Sequence, residues 1–404
     1  MDETPGRSGE GTGPWSRLAR WVDERLGLSY PLLRPAPAYA LSPAYWLGAL
    51  TVVAFAILGV TGVLMMLYYV PTPADAYSST QFIFSHVYYG RFVETVHLYT
   101  AYAMVFLMFA HLMRGFFVSV HKKPRELMWL VGMAMGGVTL ALAFTGYLLP
   151  WTVISKSGTD VAIGMLASLP PPAASILQFL VAGNGGDSQE LLRFYDLHIV
   201  VLPAVLLVLL AVKMYMLEAH GISEPPSGQP LAARKLRAVP IFPDVTLYLL
   251  ELAAVFGAGM LLLSALFPLS LPPGYSPALA GSYTAQPDWY FLWMYQILKL
   301  SVFEGAGQVV ALTLVTLGAL ALLFLPLLDR GPVRDLRRRP VFVTLGAILV
   351  AELAVLTVWG LETPGQVIDA ALGAAVLGGT AFAVAAVSYV VYAVLLPRAK
   401  GGSG

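Results

Sequence analysis

Three histidines sit inside long apolar stretches. His97 and His111 lie in "VETVHLYTAYAMVFLMFAHLMRG", and His198 lies near the start of "RFYDLHIVVLPAVLLVLLAVKMYMLEAHG". Histidine inside a membrane is expensive and marks function by default. His97 and His111 are fourteen residues apart, about 21 Å or close to four turns of helix, so they share one helical face at two depths. Two glycine pairs repeat that spacing, Gly48 with Gly62 and Gly132 with Gly146. Glycine lets another backbone or a flat macrocycle approach a helix closely. A single glycine pair is ordinary helix packing, and a single histidine is as readily a satisfied core residue as a ligand. Three pairs on one ruler point instead to two haems stacked across the membrane and gripped between the second and fourth apolar helices. Three histidines are one short of two bis-histidine sites.

The elements that must carry these residues follow from composition. Of 404 residues, 58% are hydrophobic and 12% charged, which places the chain among all-α polytopic membrane proteins. There is no cysteine, so thiolate metal sites, disulfides and thioether-attached haem are excluded on this chain. About eight stretches reach the roughly 20 apolar residues that a spanning helix needs: 44–70, 91–119, 127–149, 195–217, 245–269, 306–328, 341–361 and 366–396. Lys and Arg gather in "HKKPRE", "RKLR", "DRGPVRDLRRRP" and both tails, so both termini are expected on the cytoplasmic side. The expected organisation is a cytoplasmic segment 1–43, a four-helix di-haem domain 44–217, a cytoplasmic linker 218–243, a three-helix domain 244–361, and an additional helix and tail 362–404. Within the first segment, "PWSRLARWVDERLGL" aligns Trp15, Leu18, Trp21, Val22 and Leu26 on one face, the pattern of a helix lying on the membrane surface. The outer loops 150–194 and 270–305 are long and Pro-rich, as functional loops are.

"KKPRELMWLVGMAMGGVTLALAFTGYLLPW", "RFYDLHIVVLP" with "HGISEPP" beyond it, and "QPDWYFLWMYQIL" together resemble the cytochrome b subunit of the cytochrome bc and cytochrome bf quinol oxidoreductases. The last is the aspartate version of that family's Pro-Glu-Trp-Tyr loop. The resemblance covers about residues 15–360. The first half is similar to the bf-type b subunit and the second to its separate small partner, here joined through 218–243. The eighth helix, 366–396, matches poorly. The resemblance implies two non-covalent b haems, with His97 and His198 holding the outer iron and His111 the inner one. It implies quinol oxidation at the outer face, one electron passing to a Rieske iron–sulfur protein and the other inward to a quinone site. Further implied are a c-type cytochrome partner, a homodimeric complex, a prokaryotic cytoplasmic membrane, and no nucleic acid. The bf-type enzymes attach an extra haem to a cysteine where Trp46 stands here, so no covalent haem is expected. A di-haem membrane anchor of a dehydrogenase or hydrogenase is the alternative, although such an anchor normally needs fewer helices and lacks the "PDWY" loop.

Quinol oxidation needs a group that accepts a proton from a hydroxyl. Asp288 in "PDWY" is the candidate, set against an ordinary loop-capping aspartate. Tyr290 and Tyr147 are candidates to bond or shape the ring pocket. Pro150 and Trp151 read equally well as a rigid turn with an interfacial anchor. The aspartate form of the loop favours menaquinone. His220, Lys122 and Glu218 are candidates for the inner quinone site, and Glu94, Glu251 and Glu352 lie in or near spans without a motif.

The family places the fourth ligand fourteen or fifteen residues after the first in helix four, and the shared "GIS" selects Lys213. Fifteen residues are roughly 22 Å and about 60° of rotation, level with His111. Three readings stand for this lysine. It binds the iron as a neutral amine, it snorkels to the cytoplasmic surface and leaves a five-coordinate haem, or His220 substitutes for it. Ligation requires a free amine, and deprotonating an ordinary lysine at pH 7 costs about 4.6 kcal/mol.

Overall fold

A computed structural model describes residues 14–26, 35–167, 174–175, 186–224, 238–305 and 307–395. Residues 225–237 of the linker, and 168–173 and 176–185 of the outer loop, lie outside these residues. Apolar chains in lipid must satisfy every backbone group internally, and the fold is accordingly helical. The surface helix α1 (Pro14–Leu26) is followed by α2 (Trp46–Met66), α3 (Ala76–Ser85), α4 (Gly90–Phe117) and α5 (Glu126–Leu148). The outer helix α6 (Val153–Ala167) precedes α7 (Asp187–His220), which contains a π turn at Leu197–Val201 around His198. Then come α8 (Thr246–Leu266), the short α9 (Trp289–Leu298), α10 (Gly307–Leu323), α11 (Pro340–Glu362) and α12 (Ala370–Val390). A two-residue antiparallel pairing of Ala36–Pro37 with Ala238–Val239 is the one sheet among the described residues.

Among the described residues, seven helices are long and apolar enough to cross a membrane. The sixth expected span, 306–328, is interrupted. Its helix α10 has 17 residues, and a separate turn, Leu325–Leu328, follows with Pro326 inside it. Proline removes a backbone donor and breaks helix continuity. Exposed Val60, Leu207, Val208, Leu250 and Val255 form the outward faces of the long helices, as lipid contact requires.

The interior of the first four spanning helices is layered. Leu148, Trp151, Leu191 and Phe194 pack near one end. Ala54, Met104 and Leu206 fill the middle, with Met135, Val138 and Leu142 against them. Phe116, Trp129 and Leu325 close the other end. The middle layer falls halfway along every fourteen-residue pair, so the apolar plug separates two levels of candidate ligands.

Both described ends of the chain lie on one face. Helix α1 is tied to the α4–α5 turn and to α5 by Glu24–Lys123 and Arg25–Glu126 ion pairs, and Tyr392 beyond α12 donates to Leu336 O of the α10–α11 loop. That loop in turn grips the α4–α5 turn. Asp329 accepts from His121 Nε2 and Lys122 Nζ, each at 2.8 Å, and from Arg339, which also reaches Ser119.

Candidate functional site

Each glycine of the ruler faces one candidate ligand. A Cβ built on Gly146 would lie 2.5 Å from His198 Cε1, one on Gly62 3.4 Å from His97 Cε1, one on Gly48 2.9 Å from His111 Cε1, and one on Gly132 3.2 Å from Lys213 Nζ. The first and third distances exclude any larger residue without movement of the ring. Helices α2 and α5 therefore leave open the two sides of a space whose candidate ligands come from α4 and α7.

At the outer level the His97 and His198 rings are 6.3 Å apart centre to centre and inclined by 64°. That separation leaves room for one iron between them, with metal–imidazole bonds of about 2 Å. The tautomers are fixed from behind. His198 Nδ1 lies 3.0 Å from Leu142 O, which can only accept, so Nδ1 carries the proton. Thr61 gives its hydroxyl proton to Ile57 O at 2.8 Å, so at 2.8 Å it accepts from His97 Nδ1. Thr145 likewise donates to Ala141 O and stands 3.3 Å from His198 Nδ1. Both Nε2 lone pairs are left for a metal, the usual outer support of a metal-bound imidazole. The donor set and the cradle fit a haem.

At the inner level His111, Lys213, Gly48 and Gly132 line one cavity of about 1440 Å³. Trp46 borders it, with its ring against Tyr248 at 5.2 Å. Glu352 on α11 is the one acidic side chain in its described lining. None of the three residues expected at an inner quinone site opens on this cavity. Lys122 is held by Asp329, Gly331 O and Val333 O. His220 Nδ1 lies 3.0 Å from Met216 O and its Nε2 2.6 Å from Glu24 O, at the helix end and off the lining that holds Lys213. Glu218 also lies off this lining. Proximity to helix ends suggested these three, but helix ends are also where loops are fastened. Glu94 keeps one buried oxygen without a partner, and Glu251 is exposed.

A second cavity, of about 360 Å³, lies on the outer side, lined by Asp288, Tyr102, Tyr147, Tyr283, Trp289 and Leu292 among others. Asp288 occupies the N-cap position of α9, yet its side chain caps no backbone N–H. It accepts instead from Tyr102 Oη at 2.9 Å and Tyr290 Oη at 3.0 Å. Burial raises its carboxyl above the ordinary aspartate value, and the two phenols partly oppose the rise. Burial, followed by the neighbouring Asp288 carboxylate, holds the Tyr290 phenol well above the ordinary tyrosine value, so it remains a donor. Tyr147 reaches Ile154 O and Gln286 O, both at 3.1 Å, and forms cavity wall. Tyr290 stands behind Asp288 and is absent from the lining. Its hydroxyl also comes to 3.5 Å from Ala143 O, the residue next to Leu142 that accepts from His198. A chain of contacts thus runs from Asp288 on the cavity wall through Tyr290, Ala143 and Leu142 to His198. Trp151, with φ of 50°, is buried in a turn over Leu148, not anchored at the surface. Tyr102 had no sequence signal, because no motif links it to Asp288, 186 residues away.

Two family models match, described as "Cytochrome b(N-terminal)/b6/petB" over residues 102–275 and "Cytochrome b(C-terminal)/b6/petD" over residues 279–378. The chain is 30% identical over 346 residues to a "Cytochrome bc complex cytochrome b subunit" of Chlorobaculum thiosulfatiphilum, covering 84% of this chain and 80% of that one. It is 37% identical over 210 residues to "Cytochrome b6" of Heliobacterium mobile, covering 51% of this chain and 99% of that one. A chain of a solved "Hyperthermophilic respiratory Complex III" superposes with a TM-score of 0.70 at 27% identity, covering 93% of this chain and all of that one. The chain belongs to the cytochrome b family of bc-type complexes, with the N- and C-terminal units fused in one multi-pass membrane polypeptide. Membership places it in a b-haem oxidoreductase class and leaves the dehydrogenase-anchor alternative without support.

Proposed function

We propose that this chain is the quinol-oxidising subunit of a bc-type complex. In this reading it oxidises quinol, with menaquinol favoured, at the outer face. It works with a Rieske iron–sulfur protein and a c-type cytochrome, as a homodimer in a prokaryotic cytoplasmic membrane, and sends charge across the membrane to a quinone site on the cytoplasmic side. The observation that carries the reading is the contact chain from Asp288, on the cavity wall, through Tyr290, Ala143 and Leu142 to His198.

Two b haems, when bound, supply one-electron carriers at two depths of the membrane. The chain's own residues do the rest. His97 and His198 hold the outer group by Nε2, and His111 holds the inner one, with Gly48, Gly62, Gly132 and Gly146 leaving the space. The 360 Å³ cavity lies in the range that suits a single ring-sized head group. Asp288, raised by burial, is the better matched to take a proton from a quinol hydroxyl. Tyr102 and Tyr290 aim their hydroxyls at its carboxylate and hold it in place. Exposed Tyr283 and Thr284 at the cavity mouth give the proton a route to outer water.

Pyridine haemochrome assay of the purified protein should find about two acid-acetone-extractable b haems per chain, reducible by a quinol analogue once the complex is assembled. A single haem, or one that resists extraction, contradicts the reading.

A further inference from the structure

The inner level has one histidine, and the group opposite it is an amine. We infer that Lys213 is the second axial ligand of the inner iron, facing His111; the inference rests on the di-haem reading above. Three observations carry it.

The first is the pairing. Three of the four ruler glycines face a histidine ring that the site needs, and the fourth, Gly132, faces Lys213 Nζ. A lysine merely filling space has no reason to take the position that completes the set. The second is depth. Gly132 is six residues inside the start of α5, His111 six residues before the end of α4, and Lys213 seven before the end of α7. At 1.5 Å per residue these are about 9, 9 and 10.5 Å from the same membrane face. A snorkelling lysine carries its ammonium well past its own Cα towards water. Here Nζ remains beside Gly132, level with its own backbone. The third is the absence of another occupation. Among the described residues no hydrogen-bond or ion-pair acceptor engages Nζ, whereas His220, the rival donor, has both ring nitrogens against backbone carbonyls. The other cationic side chains on the cavity wall, Arg114 and Arg125, are directed elsewhere. Arg114 lies over the Tyr45 ring at 4.0 Å, and Arg125 donates to His220 O at 3.1 Å.

The step is a ligand binding without redox change. The ammonium releases one proton to cytoplasmic water, and the nitrogen lone pair so freed forms the bond to iron. Metal binding by an ionisable side chain generally releases such a proton.

The test is near-infrared magnetic circular dichroism with electron paramagnetic resonance on the oxidised holoprotein. Its low-spin charge-transfer bands distinguish imidazole–imidazole from imidazole–amine ligation. Wild type should show one band of each kind, in equal amounts. Lys213→Ala should convert the amine-ligated haem to high spin, and Lys213→His should replace its band with a second bis-histidine one. If Lys213→Ala fails to retain the inner haem, the wild-type spectrum and Lys213→His decide. An inner haem that is high-spin in wild type, two bis-histidine bands in wild type, or an unchanged low-spin spectrum in Lys213→Ala each overturn the assignment while leaving two haems per chain. A wild-type protein without two b haems overturns the di-haem reading itself.

Discussion

Tyr102 and Asp288 are joined by a 2.9 Å hydrogen bond across 186 residues of sequence. The bond links α4, the helix of His97 and His111, to the outer loop ahead of α9. It also explains why an aspartate at an N-cap leaves the helix uncapped. Its two oxygens are taken by Tyr102 and Tyr290, and the carboxylate is turned to the cavity instead of to the α9 backbone.

Asp288→Asn keeps the size of the side chain and removes its ability to take a proton. Quinol oxidation should fall roughly 100-fold or more, the usual effect of losing a general base, while both haems remain. Stopped-flow reduction of the b haems by quinol measures this, and a rate equal to wild type would remove Asp288 from the proton path.

Tyr102→Phe should act through pH. A hydrogen bond to a carboxylate favours its charged form, so removing the donor lets the Asp288 carboxyl rise further above its ordinary value. The base is then available only at higher pH, and the rising limb of quinol oxidation against pH should move in the alkaline direction, with little change on the plateau. A limb that stays in place would mean that Tyr102 only packs.

The ruler was legible because helical rise is fixed: fourteen residues mean the same distance in α2, α4 and α5, whatever the tertiary structure. Asp288 was legible from its loop motif. Tyr102 and Asp329 were not, since each acts through a partner brought close only by folding. Lys122 and His220 show the opposite failure. Their place near helix ends suggests an inner quinone site, but packing sets Lys122 on Asp329 and His220 against backbone carbonyls. Pro326 breaks the apolar stretch 306–328 into a 17-residue helix and a separate turn, a break that hydropathy alone does not register.

The glycine positions predict selective loss of one haem. A Cβ on Gly48 would come within 2.9 Å of His111, and one on Gly146 within 2.5 Å of His198. Gly48→Val should deplete the inner haem and Gly146→Val the outer, each leaving about one haem per chain by pyridine haemochrome. Gly59, on the same helix as Gly48, meets nothing within 4 Å, and Gly59→Ala should keep both. Equal haem content in all three variants would show that the rings have room to retreat.

Asp329 predicts an acid-sensitive fastening between the two family units. It lies between His121, Lys122 and Arg339 with its side chain 6% exposed. Burial alone would raise its carboxyl, but bonds from Lys122 and His121, and the Arg339 charge, outweigh that and hold it below the ordinary aspartate value. A carboxyl depressed in the folded state adds stability above its unfolded value, and that stability is lost as pH falls through the folded one. Detergent-solubilised wild type should therefore lose thermal stability steeply only in acid, below about pH 4. Asp329→Asn leaves buried cations without their counter-charge, which costs about 3–5 kcal/mol where a buried pair is broken. It should melt well below wild type at neutral pH and show a flatter acid dependence. Parallel pH profiles for the two proteins would place the acid sensitivity in other carboxylates.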